Sequence, residues 1–166
     1  MRVLHAGCGN EKLPSHFANH EELRLDIDER VNPDVVANLV DMGDIGQFQT
    51  TFCSHALEHL YPHEVDKALK EFLRVLENDG YSIFLVPDLE GLTPNEEVLY
   101  ESAGGPIRAM DLFYGYRKAL AEFPYMAHHT GFTSESLKQA LLNAGYTSVT
   151  TKRLENHNLV AIARKQ

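Results

Sequence analysis

The chain has 166 residues, 43% of them apolar and 23% charged, the composition of a globular domain that buries about 70% of its extended-chain surface rather than of a disordered or fibrous protein. Its formal charge of −9 and the lack of a Lys/Arg cluster exclude a nucleic-acid backbone as partner, and no apolar run is long enough to span a bilayer. The first residues read as a strand rather than a signal segment, so a cytoplasmic location is expected, with Cys8 and Cys53 as reduced packing residues.

Along the chain, short apolar runs alternate with helical patterns, which predicts parallel βαβ units. Arg2–Ala6 reads as a first strand broken by Gly7-Cys8-Gly9, Leu23–Ile27 as a second, Asp34–Ala37 as a short third and Thr51–Ser54 as a buried fourth. From His63 to Leu76 the spacing of Val65, Leu69, Phe72, Leu73 and Leu76 predicts a helix, ended by Asn78-Asp79-Gly80, and Tyr81–Val86 a fifth strand ended by Pro87. Residues 88–130 carry Pro94, the turn Gly104-Gly105-Pro106 and two amphipathic stretches instead of a strand, and are expected to be an insertion over one end of the sheet. Thr133 opens a last helix that Gly145 closes, and Tyr146–Arg153 and Asn158–Ala163 are joined so tightly that only an antiparallel hairpin fits. The whole chain, 1–166, is expected to be a single domain.

A Gly-x-Gly turn after a first strand lets backbone approach a ligand, and Asp26 stands about 20 residues on, the spacing at which a carboxylate accepts ribose hydroxyls. The third glycine of a dinucleotide fingerprint falls near Lys12 and is missing, so a pyrophosphate cradle is not supported. S-adenosylmethionine, which has no phosphate, is the better ligand.

The segments Val3–Gly9, Leu25-Asp26-Ile27-Asp28, Ser54–Leu60, Leu73–Tyr81 and Gly131–Tyr146 resemble, in order, those of the class I S-adenosylmethionine-dependent methyltransferases. The resemblance implies an α/β fold, a Rossmann-like three-layer sandwich whose seven-stranded, mostly parallel sheet has the order 3-2-1-4-5-7-6 with strand 7 antiparallel. It also implies that the backbone from His5 and Ala6 through Gly7, Cys8 and Gly9 faces the methionine moiety, Asp26 and Ile27 the ribose side, Asn38 and Leu39 the adenine, and Ser54 with His55 the amino-acid end. His5 stands where the family often has an acid, and Asn38 where an aspartate often follows strand 3. With the first strand starting at Arg2, the expected cover over the cofactor is the 88–130 segment, with a second copy of the chain as the other candidate.

Methyl transfer from a sulfonium needs positioning above all, and a general base only where the acceptor must lose a proton. Histidine suits that role. The candidates are His59 after strand 4 and the pair His128-His129 before the last helix, each with a structural alternative as a loop-holding group. His55, His59 and His63 have helical i, i+4 spacing, but nothing completes a metal site and none is expected. Within Met110–Arg117, Tyr114 and Arg117 are candidates for lining an acceptor pocket, the alternative being an amphipathic cover helix with Leu112, Phe113 and Tyr116 inward. The expected function is methyl transfer to a small molecule or to a sugar- or lipid-linked intermediate. Two other functions share these features: a non-catalytic S-adenosylmethionine-binding accessory protein, and a nicotinamide-dependent oxidoreductase, which lacks its fingerprint.

Overall fold

The computed structural model describes residues 1–166. The strands β1 (Arg2–Ala6), β2 (Glu21–Asp26), β3 (Val35–Val36), β4 (Phe48–Ser54) and β5 (Leu76–Pro87) run parallel to one another. Residues 88–130 hold a separate antiparallel hairpin of β6 (Val98–Ser102) and β7 (Gly105–Arg108), and β8 (Ser148–Leu154) and β9 (Asn158–Arg164) close the main sheet. Its order is β3-β2-β1-β4-β5-β9-β8, with β9 antiparallel to both neighbours. Counted without the hairpin, that is the expected 3-2-1-4-5-7-6.

Two helices build the main core on one sheet face. Helix α1 (Pro62–Val75) starts with proline at its first turn, where a missing N–H costs nothing, and the Glu64 carboxylate accepts the Tyr61 N–H at 2.9 Å. Its buried residues Val65, Ala68, Leu69, Phe72 and Val75 form one stripe. Helix α3 (Ser134–Ala144) is capped by the Thr133 hydroxyl, which accepts from the Ser136 N–H at 3.2 Å, and contributes Leu137, Leu141 and Ala144. Both stripes meet the sheet residues Leu4, Ala6, Leu25, Cys53, Phe84, Val86, Leu159 and Ala161. The Phe84 ring sits edge-on between Phe72 at 5.0 Å and Tyr146 at 6.4 Å, so α1, β5 and the entry to β8 share one aromatic joint.

The opposite sheet face has a lighter cover. Val3 and Phe52 pack under Phe17, which a 3₁₀ turn at Ser15–Phe17 supplies in place of a full helix between β1 and β2. Inside the sheet a hydroxyl chain runs from Thr51 to Ser82 and on to Tyr146, with both links at 2.7 Å. Each of these buried groups is thereby satisfied.

Several expected boundaries move. Helix α1 stops at Val75, and Leu76 already pairs with Phe48; the register then shifts before Thr50 meets Tyr81, so Asn78-Asp79-Gly80 is an irregularity of β5, with Asp79 at φ 61°, and not the helix stop. Lys165 takes over the stop by donating to the Leu73 and Leu76 carbonyls at 3.0 and 2.6 Å. The 88–130 segment contains strands after all, and its helix α2 (Ala109–Tyr114) ends before Arg117, at Gly115. Arg117 instead folds back on buried Asp111 at 2.9 Å and reaches Glu96 at 2.8 Å.

Candidate functional site

At the carboxyl ends of β1, β2 and β4 the backbone makes a tight, pinned loop. Gly7 has φ 63°, and a Cβ there would stand 2.5 Å from the Ala56 Cβ, so only glycine lets the loop lie against the end of β4. At Gly9, φ 47°, a Cβ would project into open space, which leaves that backbone accessible to a ligand. The Gly9 N–H donates to Asp26 Oδ2 at 2.8 Å and the Asp28 N–H to Oδ1 at 2.9 Å. Each carboxylate oxygen keeps a lone pair for a further donor, such as a ribose hydroxyl. Arg24, two residues before Asp26 on β2, donates to the Gly9 carbonyl at 2.6 Å and the Glu11 carbonyl at 2.8 Å, and so clamps the loop. Sequence reasoning missed this clamp, although the period-2 spacing of Arg24 and Asp26 was its visible sign.

The other expected cofactor residues fall into two groups. Ile27 is exposed beside Asp26, and Ser54 ends β4 at the same edge with His55 directly after it. By contrast Ala6, Cys8 and Leu39 are buried, and the Asn38 carbonyl side chain accepts from the Val40 N–H at 3.1 Å. His5 lies within the sheet, 1% exposed, with Nδ1 2.8 Å from Glu22 Oε1 and its ring edge-on to Phe52. Burial pushes its pKa down against the pull of Glu22.

Past β4 a buried carboxylate gathers three imidazoles. Glu58, 1% exposed, holds Oε1 3.2 Å from His55 Nδ1, while its Oε2 is buried without a partner. Burial would raise the Glu58 carboxyl, but the bond to His55 and the nearby His59 and His128 hold it below the usual range. Burial likewise lowers His55, and its bond and charge interaction with Glu58 outweigh that and raise it. His55 adopts φ 51°, a left-handed conformation that a non-glycine residue keeps only when its surroundings impose it. The segment returning from residue 127 is tied here too, since the His129 and Thr130 N–H groups both donate to the Glu58 carbonyl, at 2.8 and 3.1 Å.

The structure brings His59 and His128 together, their ring centroids 5.0 Å apart. His128 Nδ1 faces the Leu112 carbonyl at 2.8 Å, so it carries the hydrogen and leaves the Nε2 lone pair open, and burial lowers its pKa. Both nitrogens of His59 face carbonyls, Ala127 at 3.1 Å and His55 at 3.0 Å. Ligand-type atoms of Glu58, His59 and His128 lie within 4.8 Å of one another, but a metal would have to take one of these nitrogens from its carbonyl. His63 stacks on Tyr61, whose ring also stacks on His129 at 4.2 Å, so the trio of His55, His59 and His63 does not assemble. Tyr114 ends α2 more than half exposed, its carbonyl accepting the His128 N–H at 3.2 Å.

Two hollows flank this edge of the sheet. One, of about 490 Å³, is lined by Ile27, Asp28, Arg30, Val36, Glu122 and Tyr125 among others. The second, of about 340 Å³, lies where β5 ends and the β8–β9 turn begins, and is lined by Asp88, Leu99, Arg153, Leu154, Asn156 and His157. Asp88 is buried there and paired with Arg153 at 2.5 Å.

Residues 4–84 match the family described as methyltransferase domain. No curated protein matches the chain. Among solved structures, 99% of the chain superposes on 1,6-didemethyltoxoflavin-N1-methyltransferase of Burkholderia thailandensis, crystallised with S-adenosylhomocysteine, over 71% of that protein at 19% identity and TM-score 0.68. The same share superposes on an S-adenosylmethionine-dependent methyltransferase of Archaeoglobus fulgidus over 86% of its length, at 16% identity and TM-score 0.69. A third such methyltransferase, from Thermotoga maritima, is covered over 82%, at 17% identity and TM-score 0.67. Residues 4–84 thus match the methyltransferase domain family, and the sheet order and the superpositions give the whole chain the fold of the class I S-adenosylmethionine-dependent methyltransferases.

Proposed function

We propose that the chain transfers a methyl group from S-adenosylmethionine to a protonated oxygen or nitrogen of a small-molecule, sugar- or lipid-linked acceptor, with His128 as the general base. The observation that carries this reading is the open Nε2 of His128, fixed through Nδ1 by Leu112 and standing near an ionised, buried Glu58 at the same edge as the glycine loop. S-adenosylmethionine supplies an electrophilic methyl on a sulfonium whose departure needs no protonation. The chain's own groups do the rest. Gly7, Gly9 and Asp26 hold the donor at the ends of β1 and β2, with Ser54 and His55 at its amino-acid end. His128 Nε2 accepts the acceptor's proton as the new bond to carbon forms, and the Glu58 carboxylate stabilises the resulting imidazolium. His59, set between the Ala127 and His55 carbonyls, ties the β4 loop to the segment that carries His128, and the 88–130 segment covers the site. The hollow beside Asp88, with a neutralised Arg153 and the side chains of Asn156 and His157, suits a hydroxyl-bearing acceptor better than a strong anion.

The test is an assay of S-adenosylhomocysteine release against pools of alcohols, amines and sugars, with His128→Gln beside the intact chain. Loss of kcat by about 10²–10⁴-fold, with cofactor affinity kept, is expected. Turnover undiminished in the variant removes His128 as the base, and no release with any pool favours a protein that binds cofactor without catalysis.

A further inference from the structure

Three exposed apolar side chains share one hollow of this molecule. Ile27 is 48% exposed, Val36 57% and Tyr125 60%, and all three line the same 490 Å³ hollow. Ile27 follows Asp26 in the chain, and Val36 is its ladder partner in β3, so two apolar groups flank the ribose-ready carboxylate. The facing wall comes from another part of the sequence, Glu122, Pro124 and Tyr125. That wall is held in place: Arg30 makes three bonds of 2.6 to 3.0 Å to Asp28 and lies 5.3 Å over the Phe123 ring. An open slot between branched aliphatic groups and an aromatic ring, next to a carboxylate suited to a ribose, fits a flat heteroaromatic ring carried by that ribose. The rim carboxylates of Glu29 and Glu122 only accept hydrogen bonds, which suits an exocyclic amine and not an oxo group.

We infer that residues 122–125 form the second wall of the adenine site and that the Tyr125 ring stacks on the purine, with Ile27 and Val36 on the side of β2 and β3. This rests on the reading of the chain as an S-adenosylmethionine binder and adds a positioning residue that lies far from the glycine loop in sequence. Arg30 fixes the wall through Phe123, and Tyr125 supplies the contact.

The chain has seven tyrosines and no tryptophan, so the difference in ligand-induced tyrosine quenching between the intact chain and Tyr125→Phe reports on the stack. Calorimetry and emission are followed with S-adenosylhomocysteine and with 5′-methylthioadenosine, which keeps the adenosine and lacks the amino acid. Tyr125→Ala should weaken both ligands by about tenfold while the unfolding midpoint of the free protein stays unchanged. Tyr125→Phe should bind both as the intact chain does and lose part of the emission quench. Wild-type affinity in Tyr125→Ala, or loss of binding in Tyr125→Phe as deep as in the alanine variant, overturns the inference while leaving the cofactor reading intact. No binding of either ligand by the intact chain overturns both.

Discussion

Glu58 is the residue on which the candidate acceptor site turns. A carboxylate with so little exposure is costly unless partnered, and here His55 holds one oxygen while His59 and His128 supply nearby positive charge when protonated. The charged groups facing His128 are Glu58 from the β4 loop, which raises its pKa, and His55 and His59, which with burial lower it. The net direction is down, so His128 is unprotonated at and somewhat below the usual histidine range. Activity should therefore fall as pH drops through a value below 6.5. Glu58→Gln removes the raising influence, and the acid limb of kcat/KM should move to still lower pH while the maximum rate falls. An unchanged pH profile in that variant would mean that Glu58 does not act on the base. The sequence could not reveal this arrangement, because Glu58 stands in a short turn between Leu57 and Leu60 with no strand or helix period to mark its side as buried, and His128 reaches it from a distant part of the chain. What could be read was the neighbourhood, since Ser54–Leu60 stood out as a resembling segment and His59 and His128 as candidates.

At the level of elements, punctuation decides what was legible. Strand β1 and helices α1 and α3 were readable because Gly7, Pro62, and Thr133 with Gly145, bound their apolar runs. The hairpin β6–β7 was not, because Val98–Ser102 has no buried face and Gly104-Gly105-Pro106 reads equally as a loop. Arg117 sits at helical spacing yet outside α2, drawn back by Asp111 and Glu96, contacts that no local pattern encodes. The hydroxyl chain from Thr51 to Tyr146 gives a direct test of the core. Ser82→Ala leaves both neighbouring hydroxyls without their central partner, and a stability loss of about 2 kcal/mol in urea unfolding is expected. A loss below about 0.5 kcal/mol would show that the two hydroxyls find other partners.

Over the whole molecule, the helices α1 and α3 cover one face of the sheet, and the glycine loop, the imidazole cluster and residues 88–130 gather at one edge of it. Open α/β sheets bind ligands at the carboxyl ends of their strands. No helix is long and apolar enough to cross a membrane. Asp26 accepts the Gly9 and Asp28 N–H groups and is the residue through which the proposed function has the chain hold the ribose. Isothermal titration of the intact chain and of Asp26→Ala with S-adenosylmethionine and S-adenosylhomocysteine tests it most directly. Micromolar binding by the intact chain, weakened at least about tenfold in the variant, is predicted; no binding by the intact chain, or equal binding by both, would contradict it.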